Sequence, residues 1–145
     1  VLAEHYQASG ELDRAIEEYE SIVRSESPSP MALNNLAWIY HQQGNERALG
    51  LAKSAYEAAP GAAAIADTYG WILIERGQLA EGLPVLAKAA AACSQPDIRY
   101  HYAVALAKAG KTDAARQELN ELVRTNGHYP GAKDAQKLLR ELGGS

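Results

Sequence analysis

The chain has 145 residues, with 14 Lys and Arg against 18 Asp and Glu, which gives a net charge of −4. This length suits one compact domain or one short repeat array and is too short for two ordinary domains. The acidic balance argues against nucleic-acid binding, because sequence-independent contacts with phosphates need a basic surface. The single cysteine, Cys93, excludes an internal disulfide. The 28 alanines and the absence of phenylalanine favour closely packed helices.

No segment of the sequence is a candidate for a membrane span or a secretory signal. The longest weakly polar stretch, residues 83–93, is interrupted by Lys88 and is shorter than the ~20 residues that a span needs. The chain begins at Val1 directly in a helical pattern, without a methionine or a capping residue. We therefore expect it to be a fragment, and the location of the whole protein stays unknown from its residues.

Four glycines recur along the chain, and each of them closes a helical pattern. They are 34, 33 and 33 residues apart, at Gly10, Gly44, Gly77 and Gly110. A small residue early in the next helical pattern has the same period, at Ala15, Ala48, Gly82 and Ala115. Prolines separate the units, at Pro28, Pro30, Pro60, Pro96 and Pro130. The pattern predicts four units of helix, glycine turn, helix and proline break.

The second unit, residues 30–60, shows how each predicted pair would pack. Apolar residues of its first helix form one stripe with a 3.6-residue period, at Leu33, Leu36, Ala37 and Tyr40. Small residues form a stripe on its second helix, at Ala48, Ala52 and Ala55. Because these side chains are small, we expect the two antiparallel helices to approach closely. The units at residues 62–95 and 97–128 repeat this arrangement, and the first unit, residues 1–28, is cut.

These motifs closely resemble the tetratricopeptide repeat (TPR). The best matches are the runs LNNLAWIYHQQGN and RYHYAVALAKAGKTDAARQEL, and the resemblance covers roughly residues 1–127. Gly82 departs from the family pattern, which has alanine at that place. The resemblance implies an all-α superhelical solenoid of antiparallel helix pairs, with the whole chain as one array.

The two ends of the array differ in sequence. A helix predicted at about residues 131–142 is apolar on one side and charged on the other, as the last helix of a stacked array must be to face water. The N-terminal side has no such capping helix, and its Leu2 and Tyr6 would be partly open. We expect further repeats before Val1 in the natural protein, the true end of the array at its C-terminus, and self-association through the cut N-terminal face.

No group of residues has the spacing of a catalytic or metal site. The histidines lie in different units, at His5, His41, His101 and His128, without a second ligand at metal-binding spacing. Cys93 has no histidine near it in sequence and is interpreted as a bystander. We therefore expect no enzymatic activity, no cofactor and no metal.

The first helices of stacked helix pairs line the concave face of such an array. The residues one step round from the core stripe are the candidates for this groove: Asn34, Trp38, His41, Asp67, Trp71, Ile74, Tyr100 and Val104. Trp38 and Trp71 are 33 residues apart, so we expect them side by side on neighbouring helices. Two interpretations stay open: an aromatic floor for a partner, or sideways packing that completes the core.

The preferred prediction is a non-catalytic scaffold that binds a protein or peptide in this groove. The alternative is a structural spacer and end cap of a longer array, with recognition upstream. One TPR subtype grips a C-terminal carboxylate with Lys, Arg and Asn residues, but only Asn35 matches that set. Other places of the set hold Glu4, Ala64 and Thr68 in one register, and in the next register the set is occupied by Asn34, Trp38, Thr68, Asp97 and His101. The runs LNNLAWIY and ADTYGWIL also resemble the repeat lipoproteins of PEP-CTERM/exosortase exopolysaccharide systems. That resemblance implies a periplasmic or outer-membrane-associated scaffold in a bacterium.

Overall fold

The computed structural model describes residues 10–143, and within that range it contains eight α-helices and no strand. The first is α1 (Leu12–Val23), and the next six form three helix pairs: α2 (Pro30–Gln42), α3 (Arg47–Ala58), α4 (Ala63–Glu75), α5 (Leu79–Ala92), α6 (Pro96–Lys108) and α7 (Thr112–Thr125). The last, α8 (Ala132–Glu141), follows the pairs. The predicted first helix of the first unit, with Leu2 and Tyr6, lies outside the described residues, as does the open N-terminal face.

A glycine in the left-handed region follows each of the three described first helices, α2, α4 and α6. Gly44 has φ +73°, and Asn45 donates its backbone N–H to the carbonyl oxygen of Tyr40 at 2.8 Å, which satisfies a carbonyl left free by the helix end. The side chain of Asn45 then accepts the backbone N–H of Arg47 at 2.9 Å, at the start of α3. Gly77 and Gly110 have the same φ sign, and the residues after them, Gln78 and Lys111, donate the corresponding backbone hydrogen bonds to the carbonyl oxygens of Leu73 and Leu106.

The predicted stripes form the interior of each pair. In the second unit Leu36, Ala37, Ala48 and Ala55 are each 0% exposed. The pair α4–α5 packs more tightly still, because glycine stands at the contact on both helices. A Cβ atom on Gly82 would lie 3.0 Å from the carbonyl oxygen of Gly70 and 2.9 Å from Cδ1 of Ile74. This contact requires glycine, so the departure from the family's alanine has a structural cause.

The helices form two layers, and the first helices of the pairs form the continuous inner one. Helix α4 contacts both α2 and α6 directly, while α3 and α5 each fill the space between consecutive first helices. This stacking, in which each pair covers the apolar side of the next, is that of an all-α TPR solenoid. No helix within residues 10–143 has the length and apolar character to cross a bilayer.

Helix α8 packs on α7 and closes the last pair. Its Ala135 and Leu139 join a buried cluster with Ala103, Leu119 and Leu122, while its opposite side is exposed. The structure therefore has the amphipathic last helix that the sequence predicted.

Candidate functional site

A pocket of about 410 Å³ lies on the inner layer, where α2, α4 and α6 meet. We call it the groove pocket. Its walls are formed by Asn34, Trp38, Ala64, Asp67, Thr68, Gln95, Asp97, Ile98 and His101. Three of the predicted groove residues, Asn34, Trp38 and Asp67, thus come together at one place. Each is contributed by a first helix, which the stacking of successive pairs brings side by side.

Asp67 and His101 form the polar centre of this pocket. Nδ1 of His101 lies 2.8 Å from Oδ1 of Asp67, and both side chains are more than four-fifths buried, with 17% and 14% exposed. The ring of His101 also stacks on the indole of Trp71, with 4.2 Å between the centroids and 22° between the planes. The contact joins α4 to α6 through one carboxylate, one imidazole and one indole.

Asn34 is the equivalent of Asp67 one repeat earlier, but its carbonyl oxygen is unpaired. The residue is 7% exposed, and its Oδ1 has no hydrogen-bond partner. Its amide nitrogen makes one long contact of 3.5 Å, to Oδ1 of Asn35. Thr68, which stands where His101 stands in the next repeat, donates its hydroxyl to the carbonyl oxygen of Ala64 at 3.1 Å instead. A buried acceptor on the pocket wall is therefore left without a donor.

The other end of the groove repeats the same inter-helix spacing. Nε2 of His41 lies 3.4 Å from Oε1 of Glu75. These two residues are 34 positions apart in sequence, the same separation as Asp67 and His101. Trp38 lies beside His41 with 6.1 Å between ring centroids. Within the described residues the ring contacts of both tryptophans are with histidines and not with each other. The two indoles therefore do not form a single shared floor: Trp71 packs on the next repeat, whereas Trp38 lines the pocket.

Ile74 is not a groove residue, and its prediction is wrong. It is 1% exposed and packs with Leu86 and Ala105. The physical reason is Gly82: the missing side chain leaves a space on α5 that Cδ1 of Ile74 fills. The burial of Ile74 leaves it no surface for a partner.

Tyr100 and Val104 also lie outside the groove pocket. Tyr100 packs against the buried cluster to which the closing helix α8 contributes Ala135 and Leu139. Burial raises the pKa of its phenol, and the nearby carboxylates of Asp134 and Glu141 raise it further. Val104 is half-buried on α6. We attribute the placement of Tyr100 to α8, which takes the place of a following repeat and covers this end of the inner layer.

The pocket contains residues that the sequence pattern did not assign to it, above all His101, Thr68 and Asp97. A signal was available for His101, because it follows Asp67 by 34 residues, one more than the repeat period. That offset places a residue on the neighbouring helix opposite its partner. Thr68 and Asp97 had a signal of another kind, because they stand with Asn34, Trp38 and His101 at positions that one TPR subtype uses to grip a carboxylate.

The described residues contain no group of three metal-binding side chains, and Cys93 is a half-buried free thiol. The side chains of the groove pocket offer carboxylate and amide groups, one hydroxyl, one imidazole and one indole. That set is suited to holding a polar or charged group by non-covalent contacts.

Comparisons with known proteins agree with this architecture. Two family models, both described as tetratricopeptide repeat, match residues 1–63 and 73–142. The segment of MamA from residue 41 to its end, from Desulfovibrio magneticus RS-1, has a TM-score of 0.77 at 17% identity over 97% of this chain and 86% of its own. YrrB, described as a TPR protein with an unusual peptide-binding site, has a TM-score of 0.77 at 18% identity over 93% of this chain and 71% of its own.

A third solved structure, MamA of AMB-1, has a TM-score of 0.74 at 18% identity over 96% of this chain and 77% of its own. A search of curated protein sequences gave no significant match. These matches lend no support to the finer resemblance to exosortase-system lipoproteins. The family models and the helical stacking agree on one conclusion: the chain belongs to the tetratricopeptide repeat family.

Proposed function

We propose that this chain is a non-catalytic interaction scaffold that binds an extended peptide segment of a partner protein along α2, α4 and α6. The observation that carries the proposal is the groove pocket, whose lining on the inner layer includes the indole of Trp38 and the side chain of Asn34, whose carbonyl oxygen has no hydrogen bond. Indoles are enriched at the energetic centres of interfaces, and an unpaired polar group is stabilised by a ligand that supplies its missing hydrogen bond.

The fold supports the same function in a second way. Three first helices side by side form a rigid surface on which polar and aromatic side chains recur at a fixed spacing. An extended peptide presents its side chains at regular intervals as well, so several can contact the surface at once. The similar fold of YrrB, which is described as having a peptide-binding site, agrees with this proposal.

A selection from a library of random peptides tests the proposal directly. The peptides, displayed on phage, are selected against the chain, and the enriched ones are measured by fluorescence anisotropy against two variants. Ala64→Arg places a long side chain in the pocket from an exposed position on α4. Ala58→Arg is the matched control, because it makes the same change at an exposed position on α3 in the outer layer.

We expect Ala64→Arg to weaken binding at least about tenfold, since it fills the pocket, and Ala58→Arg to leave it unchanged. Equal binding to both variants would place the site elsewhere on the chain. A selection that enriches no peptide would favour the alternative function, a spacer and end cap of a longer array. That alternative is favoured by one observation: Trp71 is packed against His101 within the array.

A further inference from the structure

The groove pocket has acidic and neutral polar walls and no basic one. Its nine lining residues include two carboxylates, Asp67 and Asp97, and no lysine or arginine. Arg99 is the arginine or lysine of α6 closest in sequence to the pocket residues, but its side chain is directed to α7. Its Nη2 lies 3.9 Å from Oε2 of Glu118, and both residues line a separate outer pocket. The carboxylate of Asp67 is already in contact with His101, whereas within the described residues no salt bridge is formed by the second carboxylate, that of Asp97.

The polar atom that lacks a partner in this pocket is an acceptor. Oδ1 of Asn34 is buried without a hydrogen bond, and the nearest repeat-equivalent donor, the hydroxyl of Thr68, is already used on Ala64. Exchanging the amide's oxygen and nitrogen would place that oxygen against Oδ1 of Asn35, one acceptor facing another, so the orientation that leaves Oδ1 of Asn34 unpaired is the favoured one. The missing group is therefore a hydrogen-bond donor.

The aromatic wall fits the same kind of ligand. Trp38 is half-buried and lines the pocket beside Asn34. An indole attracts cations to its face, and among side chains the planar guanidinium of arginine stacks on it best. Arginine also has five N–H donors, enough to reach an amide oxygen and a carboxylate at the same time.

We infer that the groove pocket binds an arginine side chain of the partner peptide, held by Oδ1 of Asn34, the carboxylates of Asp67 and Asp97, and the indole of Trp38. This inference rests on the proposed function, and it adds the chemical class of the ligand. The preference is opposite in charge to that of TPR proteins that grip a carboxylate, which agrees with the absence of lysine and arginine from these walls.

Three blocked pentapeptides test it, with the sequence Gly-Ala-X-Ala-Gly and X as Arg, Gln or Glu. Each is titrated to millimolar concentration while the indole N–H signals of Trp38 and Trp71 are followed by two-dimensional NMR. Asp97→Asn removes an exposed carboxylate of the pocket, and Glu57→Gln is the matched control on the outer face of α3. Both positions are exposed, so the fold is retained in each variant.

We expect the arginine peptide to shift the Trp38 signal saturably and the glutamine peptide to bind about tenfold more weakly. The glutamate peptide should give no saturable shift. Asp97→Asn should weaken the arginine peptide, whereas Glu57→Gln should not. A missing shift with the arginine peptide, or equal shifts with all three, overturns the inference. Library peptides that bind the groove without arginine would overturn it while leaving the proposed function intact.

Discussion

The imidazole of His101 lies flat against the indole of Trp71, with 4.2 Å between the ring centroids, and its Nδ1 is 2.8 Å from Asp67. One side chain of α6 thus contacts two residues of α4, one aromatic and one charged. Because α4 and α6 are consecutive first helices, this contact fixes the spacing of the inner layer. It also holds Asp67 at the pocket wall.

Replacing His101 should therefore destabilise the array. We predict that His101→Ala lowers the free energy of unfolding by about 1–2 kcal/mol, through loss of the ring stack and of the hydrogen bond to a buried carboxylate. His128→Ala is the matched control, because His128 is exposed and its loss should cost less than about 0.5 kcal/mol. Urea unfolding followed by circular dichroism measures both, and equal effects would show that the stack contributes nothing specific.

Replacing glycine by alanine should change stability in opposite directions at two positions on consecutive second helices. Gly82→Ala would place a Cβ 3.0 Å from the backbone oxygen of Gly70, so we expect a loss of about 1–2 kcal/mol despite the better helix propensity of alanine. Gly50→Ala meets nothing within 4 Å, and Gly50 lies inside α3. It should gain about 0.5–1 kcal/mol. Thermal unfolding of both variants checks this pair, and a gain at residue 82 would contradict the tight contact of α4 with α5.

Acid should remove the contribution of Glu20. The hydrogen bond that Tyr40 donates holds the pKa of this carboxyl below its ordinary value of 4.5, and Arg47, whose Nη1 lies 2.8 Å from Oε1, lowers it further. A lowered folded-state pKa stabilises the protein above the unfolded-state pKa, and that stability is lost as the pH falls through the folded-state value.

Glu20→Gln should thus be less stable than the natural chain by about 1 kcal/mol at pH 7. The difference should shrink below pH ~4.5 and vanish once Glu20 is protonated. Chemical unfolding at a series of pH values measures the difference. A gap that stays constant down to pH ~2 would contradict the role of the ionised carboxylate.

Alkali should act on the C-terminal end through Tyr129. Burial raises the pKa of its phenol to about 12, and its hydroxyl oxygen is buried without a partner. A raised folded-state pKa means that the folded state binds the phenol proton more tightly than the unfolded state does. The protein therefore loses stability as the pH rises from about 10 to 12. Tyr129→Phe cannot ionise and should escape this loss.

At pH 7 the phenylalanine variant should be as stable as the natural chain or slightly more stable, because it removes a buried polar atom that has no hydrogen bond. Its advantage should grow as the pH rises above ~10. Unfolding measured at neutral and alkaline pH provides the comparison. A variant that is clearly less stable at pH 7 would show that the hydroxyl makes a necessary contact.

The sequence predicted the fold because its strongest signals are local and repeated. Gly44 indicates where the first helix ends, and the alanines at 48, 52 and 55 indicate which side of the second helix faces the first. The groove was predicted only in part, because its geometry depends on contacts between helices. Ile74 packs in the space that Gly82 leaves, and His101 contacts Asp67 on the preceding first helix. Neither event follows from the period of one helix.

Mapping a bound peptide on the chain decides whether the inner layer binds an extended peptide at the groove pocket. Two-dimensional NMR of the labelled chain is recorded with and without the tightest peptide from the library selection. We expect the signals that shift to belong to α2, α4 and α6, centred on Trp38 and Asp67. Shifts confined to α3, α5 and α7 would contradict it.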